Sequence, residues 1–182
     1  MNLPNKLTIA RIIMIPVFLV FLLTNCAGDA SKYIAAAVFA VASITDFVDG
    51  KIARKNNLVT TFGKFMDPLA DKLLVCSALI AFTGIGYISS WIVIVIIGRD
   101  FIINAFRLVA ASSGVVIAAD YWGKFKTASQ MIMVVLLILQ LDFPYMDYIE
   151  TAFVYLSLVL TVVSLIDCLY KNRRILFDGS DL

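Results

Sequence analysis

The segment TDFVDGKIARKNNLVTTFGKFMDPLADK, residues 45–72, carries four aspartates, Asp46, Asp49, Asp67 and Asp71, inside a chain that is otherwise mostly apolar. Carboxylates at such spacing can hold hard divalent cations or take a proton from an attacking hydroxyl. On a helix, Asp46, Asp49, Gly50 and Ala53 fall at i, i+3, i+4 and i+7, a single stripe. Asp67 and Asp71 lie one turn apart and so share a face of the next helix. A carboxylate facing lipid at mid-bilayer costs roughly 2.5–3.5 kcal/mol. Four would approach the ~5–15 kcal/mol that holds a whole domain together. Clustered without counter-charge they would repel one another and be driven neutral. Two divalent cations cancel the four charges and explain the spacing, and an all-oxygen ligand set suits magnesium or manganese better than zinc or copper.

Simpler roles exist for each residue alone. Asp67 precedes Pro68, as an N-cap precedes a proline in the first helical position. Asp46 and Asp49 can pair with Arg54, Lys51 or Lys72, and Gly50 and Ala53 can serve helix packing. None of these accounts for all the residues together.

The chemistry available elsewhere is limited. The sequence contains no histidine, which removes Ser-His-Asp and Cys-His catalysis, and Cys26, Cys76 and Cys168 form no C-x-x-C pair, which argues against zinc and a disulfide framework.

The elements that position the acids are membrane helices. Of 182 residues, 62% are hydrophobic and 15% charged, with a mean hydropathy of +0.95. Runs of about 20 apolar residues span the ~30 Å hydrocarbon layer. Such runs fall at 7–24, 32–54, 68–86, 90–110, 123–141 and 147–170, separated by turn-like breaks such as NCAGDAS and LDFPYMD. The first is a retained helix, since no small-residue cleavage site follows it cleanly. The expectation is an all-α, polytopic membrane protein of six transmembrane helices, a single domain over 1–182 without internal repeats. MNLPNKLTIAR suits a short N-terminal interfacial helix leading into the first crossing.

Alternate connections divide the basic residues sharply. One side takes Lys6, Arg11, Lys51, Arg54, Lys55, Lys64, Lys72, Arg107, Lys124, Lys126, Lys171, Arg173 and Arg174, with Arg99 deeper, and the other only Lys32. The positive-inside rule then puts both termini and the acidic segment in the cytoplasm. Arg99 falls about nine residues into the fourth crossing, where an ionisable group reads as functional; a structural pairing with Asp167 is the simpler role. Arg107 follows ~12 Å along the axis and about 80° around it. With Lys124 and Lys126 these form a cationic wall suited to an acceptor that carries phosphate. Topology signalling and snorkelling are the plainer roles for Lys124, Lys126 and Arg107.

The pattern Asp46-x2-Asp49-Gly50-x2-Ala53-Arg54-x8-Gly63-x3-Asp67-x3-Asp71 resembles, at every defined position, the signature of the CDP-alcohol phosphatidyltransferases. NLPNKLTIAR, FGKFMDPLADKLL and GKFKT look most like the bacterial members that make phosphatidylglycerophosphate. One departure is Arg99-Asp100, where the family pattern leads one to expect Arg-Glu. The resemblance implies a multi-pass enzyme of the cell membrane with a cytoplasmic active site, acting on CDP-diacylglycerol and membrane lipid rather than nucleic acid, as a homodimer. It implies Asp46, Asp49, Asp67 and Asp71 as ligands of two Mg2+ or Mn2+ ions, with Asp71 also the catalytic base. Thr8, Asp46, Gly50, Ala53, Arg54 and Gly63 would bind CDP-diacylglycerol. The expected acceptor is glycerol 3-phosphate, held by Arg99, Arg107, Lys124 and Lys126. Inositol phosphate and phosphatidylglycerol are rival acceptors, and a divalent-cation transporter is the reading from another class.

Overall fold

Six helices follow one another with no strand among the described residues: α1 (Leu3–Leu23), α2 (Ala30–Lys55), α3 (Thr61–Gly84), α4 (Ser90–Ser112), α5 (Tyr121–Leu139) and α6 (Met146–Lys171). The computed structural model describes the backbone of residues 3–24, 26–55, 61–112 and 121–173, and their side chains except at 3–6, 46–55, 61–68, 71 and 112. The turn after α1 passes through Gly28 at φ 58°, and the turn after α3 through Gly86 at φ 84°, left-handed conformations that only glycine adopts without a Cβ penalty. α5 and α6 are each long and apolar enough to cross a membrane. Leu7–Leu23, Ala30–Thr45 and Lys72–Gly84 are shorter apolar helical stretches.

Two expectations about helix ends are corrected. The short N-terminal interfacial helix is not a separate element, because α1 runs unbroken from Leu3 to Leu23. Pro4 sits in its first turn, where a missing N–H breaks nothing, and no glycine or helix-breaking pair divides the helix before Pro16. α3 begins at Thr61, not at Pro68. Asp67 is therefore the seventh residue of the helix, and capping no longer accounts for it.

The chain divides into two packing units, Met1–Tyr87 with Val134–Asp142, and Ile88–Met133 with Phe143–Leu182. In the first, α1 packs along α2 and α3, and α2 meets α3 directly. Small residues on α2, Ala35, Ala36 and Ala42, allow close approach, and Phe18 of α1 meets Phe39 of α2 at a ring separation of 5.7 Å. Ala70, Leu74, Ala78 and Phe82 are the buried stripe of α3. In the second unit α4 packs on α6 through Ile103, Phe106, Leu165 and Cys168.

The buried face of α6 is partly polar and the outer faces of α4 and α6 are strongly apolar. α6 buries Ser157, Thr161 and Ser164 and turns Tyr155, Val159, Val162 and Ile166 outward, while α4 turns out Ile94, Phe101 and Leu108. The inward hydroxyls are satisfied locally: Thr161 Oγ1 donates to the Ser157 carbonyl at 2.6 Å and Ser164 Oγ to the Thr161 carbonyl at 3.0 Å. Ser129 Oγ of α5 lies 3.4 Å from Ser157 Oγ of α6. Small and hydroxylated residues inside with large apolar residues outside is the arrangement that lipid favours, since burying apolar surface between helices gains little there.

Candidate active site

α2 is continuous through Lys55, so the register places Asp46, Asp49, Gly50 and Ala53 on one stripe, with Arg54 beside it. α3 likewise holds Gly63, Asp67 and Asp71 in one helix, the two acids one turn apart. Both helices belong to the same packing unit and touch. The side chains of these residues lie outside the described set, and among the described residues no three acids or cysteines gather as a metal cluster. The backbone places two pairs of carboxylate-bearing residues on two neighbouring helices, and hard-oxygen donors of that kind are the type that magnesium or manganese takes.

α1 supplies the polar residues on the third side of this unit. Thr8 and Arg11 are both fully buried and fall at i and i+3. Arg11 Nε donates to the Ala42 carbonyl of α2 at 3.2 Å. Ala42 stands one helical turn before Asp46, so the guanidinium is tied to the turn that precedes the acidic stripe. The resemblance singles out Thr8, whereas the charge pattern marks Arg11 only as a cytoplasmic cation; its spacing from Thr8 along the buried stripe that continues to Ile15 and Phe18 is what distinguishes it. Arg11→Ala is expected to cost about 2–4 kcal/mol of stability, from a cavity and a lost charged hydrogen bond. Unfolding by denaturant titration in mixed micelles measures it, and a loss under about 1 kcal/mol would show that the arginine does not hold α1 to α2.

The basic residues of the second unit separate into unlike environments. Lys124 is exposed, its Nζ 5.5 Å from the centre of the Tyr121 ring. Lys126 is only 2% exposed, and its Nζ donates to both oxygens of Asp100, at 2.8 and 2.7 Å. Arg99 Nη1 donates to Asp100 Oδ1 at 3.0 Å. Arg99 thus pairs with its own neighbour and not with Asp167, which instead accepts from Lys171 at 2.7 Å. Arg107 is half-buried, and its Nε has no hydrogen-bond partner among the described residues. Arg99, Asp100 and Lys126 therefore come together, with a net charge of +1, while Lys124 stands apart on the surface of α5. A separate cavity in the first unit, lined by Phe21, Thr24, Lys32, Tyr87 and Gln140, has none of the proposed site residues in its lining. Along α2, Lys32 lies 14 residues from Asp46, about 21 Å at 1.5 Å per residue.

Comparison with known proteins gives matches along most of the chain. The family model described as CDP-alcohol phosphatidyltransferase matches residues 1–163. A Bacillus subtilis protein named CDP-diacylglycerol--glycerol-3-phosphate 3-phosphatidyltransferase is 44% identical over 187 aligned positions, covering 94% of this chain and 95% of the relative. Proteins of the same name from Haemophilus influenzae and Rickettsia typhi are 35% and 37% identical, the first covering 100% of this chain and 98% of its own length, the second 90% and 92%. With the family model covering most of its length and relatives of this identity matching nearly end to end, the chain belongs to the CDP-alcohol phosphatidyltransferase family and is an enzyme of that type.

Proposed function

We propose that this enzyme transfers the phosphatidyl group of CDP-diacylglycerol to the primary hydroxyl of sn-glycerol 3-phosphate, giving phosphatidylglycerophosphate and CMP. The observation that carries the reading is the pairing of two acid-bearing helices within one unit, in a chain whose relatives bear the name of that reaction. Asp46, Asp49, Asp67 and Asp71 would hold two Mg2+ or Mn2+ ions. When bound, such ions neutralise the diphosphate and stabilise the departing CMP, which suits a chain with no histidine to act as acid. Asp71 accepts the proton of the attacking hydroxyl. The acceptor oxygen bonds to the phosphorus that carries diacylglycerol, the anhydride bond breaks, and CMP leaves with the electron pair.

The remaining residues bind and orient. Gly50 and Ala53 leave room for the cytidine diphosphate against α2, with Asp46, Thr8 and Gly63 nearby and Arg54 on a phosphate. Arg99, Arg107, Lys124 and Lys126 form the basic set that recognises the acceptor's phosphate, which serine or choline would not need. The protein acts as one domain over 1–182, crosses the cell membrane six times with both termini and the active site cytoplasmic, and works as a homodimer. The lipid tails of the donor then stay in the bilayer while its head reaches the polar site.

An acceptor screen tests this. Purified protein with CDP-diacylglycerol and magnesium should release CMP when glycerol 3-phosphate is added. Faster release with inositol phosphate or phosphatidylglycerol overturns the acceptor, and divalent-metal uptake into proteoliposomes without any CMP points to the transporter.

A further inference from the structure

The cavity of the first unit plays no part in the chemistry proposed above. Its volume is about 360 Å³, within the roughly 300–1,000 Å³ usual for small-ligand sites. It lies at the end of the unit remote from the acid stripe, and three helices finish there. Leu22 and Leu23 belong to the last turn of α1, Leu137 and Ile138 to that of α5, and Ile85 follows the last residue of α3. The carbonyls at a helix C-terminus carry the equivalent of about half a negative charge. Three such ends at one cavity, with Asp29 also in its wall, favour a cation. α2 alone begins there, and it brings Lys32.

Lys32 answers only part of that field. Its Nζ donates to the carbonyl of Gln140, just past the end of α5, at 3.4 Å, and stands 5.4 Å from the centre of the Tyr33 ring. A contact of 3.4 Å is long, and an ammonium has three hydrogens to give. Asp29 shares the same wall, yet the ion pairs among the described residues do not include one between Asp29 and Lys32. Opposite charges that face one cavity without neutralising each other suit a ligand that carries both signs. Lys32 is also the one cation on its side of the proposed topology, where membrane insertion disfavours it. We propose that this cavity binds a phosphate joined to a primary ammonium, as the headgroup of an aminophospholipid. Lys32 takes the phosphate, and Asp29 with the carbonyls that end α1 and α3 takes the ammonium. Val20 and Leu23, both exposed near the end of α1, offer an apolar track for the acyl chains, which favours a lipid over a free headgroup.

Native mass spectrometry of the full chain in detergent micelles, titrated separately with dioleoyl phosphatidylethanolamine, phosphatidylcholine and phosphatidylglycerol, tests the assignment. Phosphatidylethanolamine binds about tenfold tighter than phosphatidylglycerol, which has no ammonium. Phosphatidylcholine falls between them, since its trimethylated nitrogen keeps the charge and has no hydrogen to donate. Asp29→Asn removes the preference for phosphatidylethanolamine over phosphatidylglycerol, and because Asp29 is exposed the change leaves the fold alone. Lys32→Ala weakens both lipids by about tenfold, the equivalent of a charged hydrogen bond. Lys32→Arg, which keeps a cation on the Gln140 side of the cavity, stays within about threefold of the parent. CMP release by the three variants remains within about twofold of the parent, because the acid stripe lies far along α2; that readout separates a lost lipid site from a lost fold. Equal affinity for phosphatidylethanolamine and phosphatidylglycerol in the parent, or undiminished lipid binding in Lys32→Ala, overturns the proposal. Displacement of the lipid by free phosphoethanolamine at equal concentration overturns the lipid as the source of the headgroup.

Discussion

Asp71→Asn is expected to lower kcat by about 10³-fold, the contribution of a well-placed general base, while CMP and CDP-diacylglycerol still bind. Asparagine matches aspartate in shape and keeps one oxygen that can face a cation, but it cannot accept the proton of the acceptor hydroxyl. The chain has no histidine to replace it, and Asp46, Asp49 and Asp67 are proposed to be committed to the metal ions. The loss therefore belongs in kcat. Nucleotide binding is proposed to draw instead on the α2 stripe and is expected to fall by less than about tenfold, a difference of ~1.4 kcal/mol. Turnover and equilibrium binding of labelled CMP, measured on one preparation, separate the two. Near-normal turnover in Asp71→Asn would show that the base is misassigned.

Asp49→Asn should behave otherwise. Asp49 shares its stripe with Asp46 and Gly50, at the register where metal and nucleotide are proposed to meet. Loss of one of four negative charges weakens attraction for a divalent cation, and the cation in turn anchors the diphosphate. Half-saturating magnesium and the KM for CDP-diacylglycerol are expected to rise together, each by about tenfold or more. Removing metal with a chelator should abolish turnover in the parent, and magnesium or manganese should restore it. A variant whose metal requirement shifts while its nucleotide affinity stays constant would separate the two sites and contradict a shared centre.

Much of the helix layout could be read along the chain, because runs of about 20 apolar residues favour helices of that length. The apolar run 90–110 lies in the helix Ser90–Ser112 and the run 147–170 in the helix Met146–Lys171. A run that must cross about 30 Å with every backbone group bonded internally can only be a helix of some 20 residues. The acidic pattern was equally legible, since the spacings i, i+3, i+4 and i+7 have meaning only on a helix, and α2 and α3 are helical there. The start of α3 was misjudged because proline favours a first turn without requiring one. Its φ is helical in any case, and Pro68 sacrifices one backbone bond inside a helix that begins at Thr61.

By itself, then, the sequence determined the helical class of the chain, the approximate place of each helix and the stripes on which the acids lie. Those properties follow from local periodicity and from the solvent. Tertiary structure alone decided which charges meet: Arg11 on the Ala42 carbonyl, Lys126 on Asp100 across 26 residues, and Asp167 with Lys171 instead of Arg99. Such pairings depend on how two helices rotate against each other and on which rotamer fills the gap between them. Neither quantity has a period that a linear sequence can display.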